Sequence, residues 1–240
     1  MMSTTTAVIL VAGIGSRLRP LTDDRPKALV EVHGRSILAR AVDALVAHGV
    51  GHVVLATGYR QDAIARQMET CRARVTLCHN PRFDTTQNVV SLALCRDAVA
   101  GEGFFKLDGD VLFQSDVLRR LDASAADLAV AVDERRALDE EAMKVEARAG
   151  RIVAFGKALP LEGAAGESIG IERVSGSVCE RLFDAIDATV SAGHTDVYYE
   201  HVYDQLVRDG LVADAVAVGD LPWTEVDDPA DLSRAAEMFD

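Results

Sequence analysis

Apolar runs of strand length recur through the first 135 residues of this chain, and stretches of helical periodicity separate them. The runs fall at 7–11, 52–57, 74–78, 103–108 and 127–132, and the helical patterns near 36–48, 61–69, 87–98 and 115–121. Short apolar runs read as strands buried on both faces. Their alternation with helices predicts βαβ units around a mainly parallel sheet. The 240 residues are 49% hydrophobic, enough for a sizeable core. Ligands of such sheets gather outside the carboxyl ends of the strands. The residues that follow each run therefore carry the functional argument.

The second half changes character. Lys144-Val145-Glu146 and Arg151–Phe155 flank Ala149-Gly150, which reads as a hairpin, and Glu167–Val174 is a further strand. Helices near 176–191 and 198–209, a strand near 212–218 and a last helix opened by Asp228-Pro229 complete the pattern. No Pro- or Gly-rich linker divides the halves, so residues 1–240 are expected to form a single domain. Its part up to about residue 135 would serve one ligand, and the remainder would add a second binding region.

The formal net charge of −13 argues against nucleic acid as a partner, since phosphate backbones need a basic face. The apolar stretches are too short to span a membrane, and the polar start Met1–Thr6 does not read as a signal peptide. The four cysteines (71, 78, 95 and 179) form no C-x-x-C pair and read as buried thiols of a cytoplasmic protein.

Against this acidic background, the loop after the first run is basic. Ala7–Val11 enters Ala12-Gly13-Ile14-Gly15-Ser16-Arg17-Leu18-Arg19-Pro20-Leu21-Thr22, and Arg25-Pro26-Lys27 follows. Glycines let backbone N–H groups approach phosphate oxygens, and the cations offset the charge. The glycines alone also fit an ordinary βα turn. A dinucleotide fingerprint would need a third glycine where Leu18 stands, and no G-K-[ST] follows to make a P-loop. Phe104–Val111 is an apolar strand that ends in Asp108-Gly109-Asp110, which offers hard oxygen ligands or simply an Asp-Gly turn.

Gly13 through Thr22, Arg25-Pro26-Lys27-Ala28-Leu29-Val30-Glu31-Val32 and Gly34–Leu38 together resemble the signature of the nucleotidyltransferases that make sugar nucleotides and CDP-alcohols. That resemblance extends over essentially the whole chain. It implies an α/β fold, a Rossmann-like three-layer sandwich with a mixed, mainly parallel sheet. It also implies a reaction in which a phosphate monoester attacks the α-phosphorus of a nucleoside triphosphate with Mg²⁺ help and releases pyrophosphate. Ala12, Gly13, Gly15, Ser16 and Arg17 would hold the β- and γ-phosphates, and Lys27 would offset charge at the reacting phosphates. Asp110 and Asp227, the latter within Glu225-Val226-Asp227-Asp228-Pro229, would ligate Mg²⁺, with Asp108 a neighbour of undetermined role.

Asn80–Asp84 and Thr85-Thr86-Gln87-Asn88-Val89-Val90-Ser91-Leu92 resemble the CTP-using, phosphocholine cytidylyltransferase-like branch, where Asn88 would read the base; as a residue type it equally suits a helix start. Lys157 resembles the lysine that holds the acceptor phosphate. Lys144 stands in the neighbouring Glu141–Val145 stretch, and Glu167 would line the acceptor pocket. Tyr198, Tyr199 and Glu200 combine aromatic faces with a carboxylate, which suits an alkylammonium group, or else start a helix with tyrosines in the core. The implied partners are CTP and a small phosphate or phosphonate acceptor such as phosphocholine, 2-aminoethylphosphonate or inositol phosphate. A sugar 1-phosphate enzyme and a non-catalytic nucleotide sensor are the remaining alternatives, and a homodimer is a further candidate partner arrangement. Ala28 departs from the proline or methionine of many relatives without removing a charge.

Overall fold

The computed structural model describes residues 4–239. β1 (Thr6–Val11) leads through two 3₁₀ turns (Ser16–Leu18, Lys27–Leu29) and a small hairpin, β2 (Glu31–Val32) and β3 (Arg35–Ser36), into α1 (Ile37–His48). There follow β4 (His52–Thr57), α2 (Gln61–Met68), β5 (Arg74–His79), α3 (Asn88–Ala93), α4 (Arg96–Val99), β6 (Phe104–Asp108), β7 (Val111–Phe113), α5 (Asp116–Asp122) and β8 (Leu128–Asp133). The chain continues with β9 (Lys144–Arg148), β10 (Arg151–Phe155), β11 (Gly166–Val174), α6 (Gly176–Ser191), α7 (Tyr199–Arg208), β12 (Ala213–Ala217), β13 (Trp223–Glu225) and α8 (Pro229–Met238). No helix among the described residues is long and apolar enough to cross a membrane.

Nine strands form one sheet in the order β5-β4-β1-β6-β11-β8-β12-β10-β9. The pairings of β1 with β4 and β6, of β4 with β5, and of β8 with β12 are parallel, whereas β10 and β11 run against their neighbours. The sheet is thus mixed, as expected, with seven of the nine strands running in one direction and β10 and β11 in the other. Side-chain alternation along β1 sends Ala7, Ile9 and Val11 to one face, beneath Leu38, Val42 and Leu45 of α1, Ile64 of α2 and Leu118 of α5. Val8 points the other way, into a second core with α3, Phe183 of α6 and Tyr203 of α7. The result is a three-layer α/β sandwich. Each core is continuous and largely desolvated, the main source of stability in such a fold.

The hairpin expected at Ala149-Gly150 is present between β9 and β10. Both turn residues have positive φ (50° and 79°), which the right-handed twist of a two-residue turn demands. The helix expected over 87–98 is broken into α3 and α4, because the chain tightens where the Cys95 amide bonds to the Leu92 carbonyl at 3.0 Å. The two-residue β2–β3 hairpin and the three-residue β7–β13 ribbon are too short to show periodicity and were not anticipated.

Gly109 has an identifiable packing role. A methyl group there would overlap the Leu10 carbonyl oxygen and lie 2.7 Å from Val11 Cγ1, so β1 and the β6–β7 corner touch only because position 109 lacks a side chain. Gly109→Ala is expected to destabilise the fold by about 1–3 kcal/mol, the usual range for overpacking. Thermal melting checks this, and an unchanged midpoint would refute the close-contact account.

Candidate active site

A cavity of about 390 Å³ opens at the carboxyl ends of β1 and β6. That volume suits a small molecule. Ala12, Gly13, Arg17, Lys27, Asn88, Asp108, Asp110, Lys157, Glu167, Tyr198, Glu200 and Asp227 all line it, although they come from distant parts of the chain. Gly15, Ser16 and Tyr199 do not line it.

The glycine loop is anchored from below. Leu18 is fully buried in a small third core with Val30, Ile37, Leu112, Val226 and Ala235, which ties the loop to α8. Thr22 Oγ1 donates to the Gly15 carbonyl at 2.8 Å. Gly15 itself sits at φ 72°, and a Cβ on it would come within 2.6 Å of Lys27 Cβ. Its role is therefore to let the Lys27 side chain pass behind the loop.

Lys27 Nζ donates to Asp110 Oδ2 at 2.7 Å and also to Asp227 Oδ1. Arg17 pairs with the other oxygen of Asp227 at 2.8 Å. Burial works against the Lys27 charge, but the two carboxylates outweigh it and hold the ammonium pKa above the usual lysine value. Burial likewise raises Asp227, and Lys27 and Arg17 overcome it, so the carboxyl stays below its ordinary value.

The two aspartates meet through backbone structure. Asp110 precedes β7 and Asp227 follows β13, and these strands pair antiparallel with Val111 opposite Glu225. The Val226 amide donates to the Asp110 carbonyl at 3.0 Å, and Asp231 Oδ2 accepts from the Asp227 amide at 2.9 Å. Asp228 and Asp231 form a reciprocal capping box at the start of α8, with Pro229 in its first turn. Glu225 lies in the same wall. Burial and then the nearby Asp110, Asp108 and Asp227 push its carboxyl up to about 8. Among the described residues no three His, Cys, Asp or Glu side chains are grouped to cage a metal. Two convergent carboxylates that already share one cation are hard oxygen donors of the kind that suits Mg²⁺.

On the neighbouring wall Asn88 begins α3, and its Oδ1 accepts from the Tyr199 amide at 2.9 Å, so that oxygen caps α7. Asn80, almost fully buried, donates to Thr86 Oγ1 and to Ser91 Oγ at 3.0 Å and thereby fixes Ser91 in the cavity wall.

At the far end Lys157 Nζ lies 3.3 Å from Glu141 Oε2 and 5.2 Å from the centre of the Tyr198 ring. Lys144 is buried rather than exposed to a ligand. Its ammonium donates to the carbonyls of Lys157 at 2.6 Å, Glu140 at 3.2 Å and Ala142 at 3.3 Å, which ties the two loops of this end together. Glu167 faces Arg136 at 4.0 Å, and burial outweighs that cation to raise its carboxyl.

Tyr199 corrects the expectation that it lines an acceptor pocket: it is fully buried beneath the floor, because α7 turns it inward against the sheet. Its hydroxyl lies 3.1 Å from Asp108 Oδ2 and 3.2 Å from Glu172 Oε1. Lys106 stands beside it with no exposed surface, 3.0 Å from Asp108 Oδ1, 3.2 Å from Glu172 Oε2 and 3.4 Å from the Tyr199 ring centre. Neither Lys106 nor Glu172 was identified from sequence. The signal was a charged residue at an inward-facing place in each of two apolar strands, since buried charges are rare unless partnered.

Known proteins share both sequence and shape with this chain. The MobA-like NTP transferase domain matches residues 7–201. The CMP-5'-(3-aminopropyl)phosphonate synthase of Streptomyces rubellomurinus is 32% identical over 97% of the chain and 38% of its own length. The bifunctional IPC transferase and DIPP synthase of Rubrobacter xylanophilus is 33% identical over 97% of the chain and 51% of its own length. The chain thus spans about two fifths to half of these two curated relatives. The choline-phosphate cytidylyltransferase of Streptococcus pneumoniae is 25% identical over 97% of both. Among solved structures, the inositol-1-phosphate CTP transferase from T. maritima superimposes with a TM-score of 0.85 at 26% identity, covering 99% of this chain and 95% of that one. With a family match across most of its length and two relatives above 30% identity, the chain belongs to the MobA-like NTP transferase family.

Proposed function

We propose that this chain is a cytidylyltransferase: it transfers CMP from CTP to a small phosphate or phosphonate acceptor that carries a cationic head group, phosphocholine-like in its charges, and releases pyrophosphate. The observation that carries this reading is one cavity with two differently equipped ends. Arg17, Lys27, Asp110 and Asp227 meet at one end, and Lys157, Tyr198 and Glu200 at the other. The first set suits a triphosphate, and the second suits a phosphorylated cation. Relatives named for CTP-dependent transfer to choline phosphate, inositol phosphate and an aminoalkylphosphonate support the choice of nucleotide and acceptor class.

In this reading the amides of Ala12 and Gly13, with Arg17, bind the outer phosphates. Lys27, held cationic by its two carboxylates, offsets charge that builds on the phosphates as the reaction proceeds. Asp110 and Asp227 would hold Mg²⁺, whose chemistry when bound is to neutralise charge on the triphosphate and the leaving pyrophosphate. Lys157 orients the acceptor phosphate. One of its oxygens forms the bond to the α-phosphorus while the bond from that phosphorus to pyrophosphate breaks. An ionised phosphate needs no side-chain base, which accords with a site that offers none of the histidines.

The test is a panel of CTP, UTP, dTTP and GTP against phosphocholine, 2-aminoethylphosphonate, inositol phosphate and glucose 1-phosphate, read as pyrophosphate release. CTP with a cationic acceptor is expected to be fastest, and EDTA to abolish the signal. Fastest turnover of a sugar 1-phosphate with UTP or dTTP, or no pyrophosphate from any pair, would overturn the proposal.

A further inference from the structure

We infer that Lys144, which does not itself line the cavity, is a positioning residue for the acceptor phosphate. Its ammonium sets the places of Lys157 and Glu141 at the acceptor end and adds a buried positive charge behind them. This rests on the proposed reading of that end.

Lys144 opens β9 and is 1% exposed. An ammonium has three N–H donors. Here all three go to main-chain carbonyls, those of Lys157 at 2.6 Å, Glu140 at 3.2 Å and Ala142 at 3.3 Å. The first carbonyl belongs to the segment that leaves β10, the other two to the segment that enters β9. Neither segment is part of the sheet, and among the described residues none of the three carbonyls accepts a main-chain hydrogen bond. Asp139 closes the Glu140–Ala142 turn locally, accepting from the amides of Glu141 and Ala142 at 2.9 Å, but it does not reach the other segment. Glu141 stands between two of the bound carbonyls and Lys157 carries the third. Both side chains line the cavity, where they pair at 3.3 Å. Lys144 therefore governs how far apart these two groups stand.

The charge has a use of its own. A buried lysine is normally paired with a carboxylate. The ion pairs of this end are Lys157 with Glu141 and Arg136 with Glu167, and neither includes Lys144. Seven carboxylates and three cations line the cavity, an excess that would repel a doubly charged phosphate. Two of those cations, Arg17 and Lys27, are engaged by Asp227 and Asp110 at the other end. Lys157 is left to meet the acceptor phosphate, and Glu141 already occupies it. A second positive charge, set behind the Lys157 backbone where water screens it little, draws the phosphate to this end. The phosphate supplies the counter-charge that the protein leaves out.

A joint that served the fold alone would not need this charge. Neutral N–H donors can bridge carbonyls without the cost of taking an ammonium out of water. The two contributions separate by residue type. Glutamine has two N–H donors and no charge, so it keeps part of the joint and none of the field. Methionine fills similar space and supplies neither.

The test is steady-state pyrophosphate release with CTP and either phosphocholine or 2-aminoethylphosphonate, for the wild type, Lys144→Met and Lys144→Gln, with circular dichroism to verify the fold. Lys144→Met is expected to raise the acceptor KM at least about tenfold, in keeping with the cost of misplacing a substrate-holding group. The KM for CTP should stay within about twofold, because uniform binding at the other end is untouched. Lys144→Gln should give an acceptor KM between those of the wild type and Lys144→Met. If Lys144→Met does not fold, Lys144→Gln makes the same comparison by itself. An unchanged acceptor KM in a folded variant, or an equal rise in both KM values, would overturn the inference and leave the proposed function standing. Absence of pyrophosphate from the wild type with CTP and every acceptor of the panel would remove both.

Discussion

Lys27→Ala is expected to lower kcat for CMP transfer by at least about 10³-fold while the protein stays folded. Removing one group that stabilises charge at a phosphoryl or acyl centre usually costs on the order of 10²–10⁵ in rate. Lys27 also governs the resting site, because its ammonium is the shared partner of Asp110 and Asp227. In the variant these two carboxylates and Glu225 would face each other with Arg17 as the remaining cation. The KM for CTP should rise as well, because the outer phosphates lose a neighbour. Pyrophosphate release under saturating CTP, with circular dichroism to verify the fold, makes the comparison. A near wild-type kcat would remove Lys27 from the reaction. Asp110→Asn should be similarly inactive, but with a different signature: its defect should be partly relieved by raising Mg²⁺, whereas that of Lys27→Ala should not.

The second large effect is on stability. Lys106→Met removes the one cation of a largely buried cluster and leaves Asp108, Glu172 and Glu200 to each other. Breaking a buried pair from one side commonly costs about 3–5 kcal/mol, a fall in melting temperature on the order of 10 °C for a chain of this size. The pH dependence has a definite sign. Glu172 and Glu200 have folded-state values of about 8 and about 7, both above the value of 4.5 for an unperturbed glutamate. The folded protein thus binds more protons than the unfolded chain between pH 4.5 and 8, and these groups make stability fall as pH rises through that window. Without Lys106 the carboxyls become harder still to ionise. The deficit of the variant should be larger at pH 8 than at pH 5.5. Melting curves at the two pH values decide the matter, and an equal deficit at both would show that lost packing, not lost charge, is responsible.

Much of this architecture is visible in one dimension. Ala7–Val11, His52–Thr57 and Leu128–Val132 are buried on both faces, so their apolar character is continuous and announces parallel strands. Asp228-Pro229 marks the start of α8 because capping and a first-turn proline are local chemistry. The residues proposed for phosphate and metal binding lie at strand ends, where periodicity stops and polar residues stand out. What was hidden depends on contacts distant in sequence. A three-residue strand such as Trp223–Glu225 has no period of its own and exists because Val111–Phe113 pairs with it. The burial of Tyr199 follows from how α7 docks on the sheet. Lys106 is unremarkable as a residue type until its place opposite Glu172 is known. Gly15 attracts attention as a phosphate-loop glycine, whereas the space it leaves is filled by Lys27.

The β7–β13 ribbon has a consequence for how the chain can be altered. It fastens the Asp110 and Asp227 backbones to each other, so their spacing does not depend on the long stretch of chain that leaves after one and returns before the other. That stretch includes β9 to β11, α6 and α7, and with them every residue placed at the acceptor end. Loops in it can lengthen and side chains can be exchanged while the paired carboxylates stay in register. Such a layout lets the end proposed to choose the recipient change without disturbing the end proposed to hold the triphosphate.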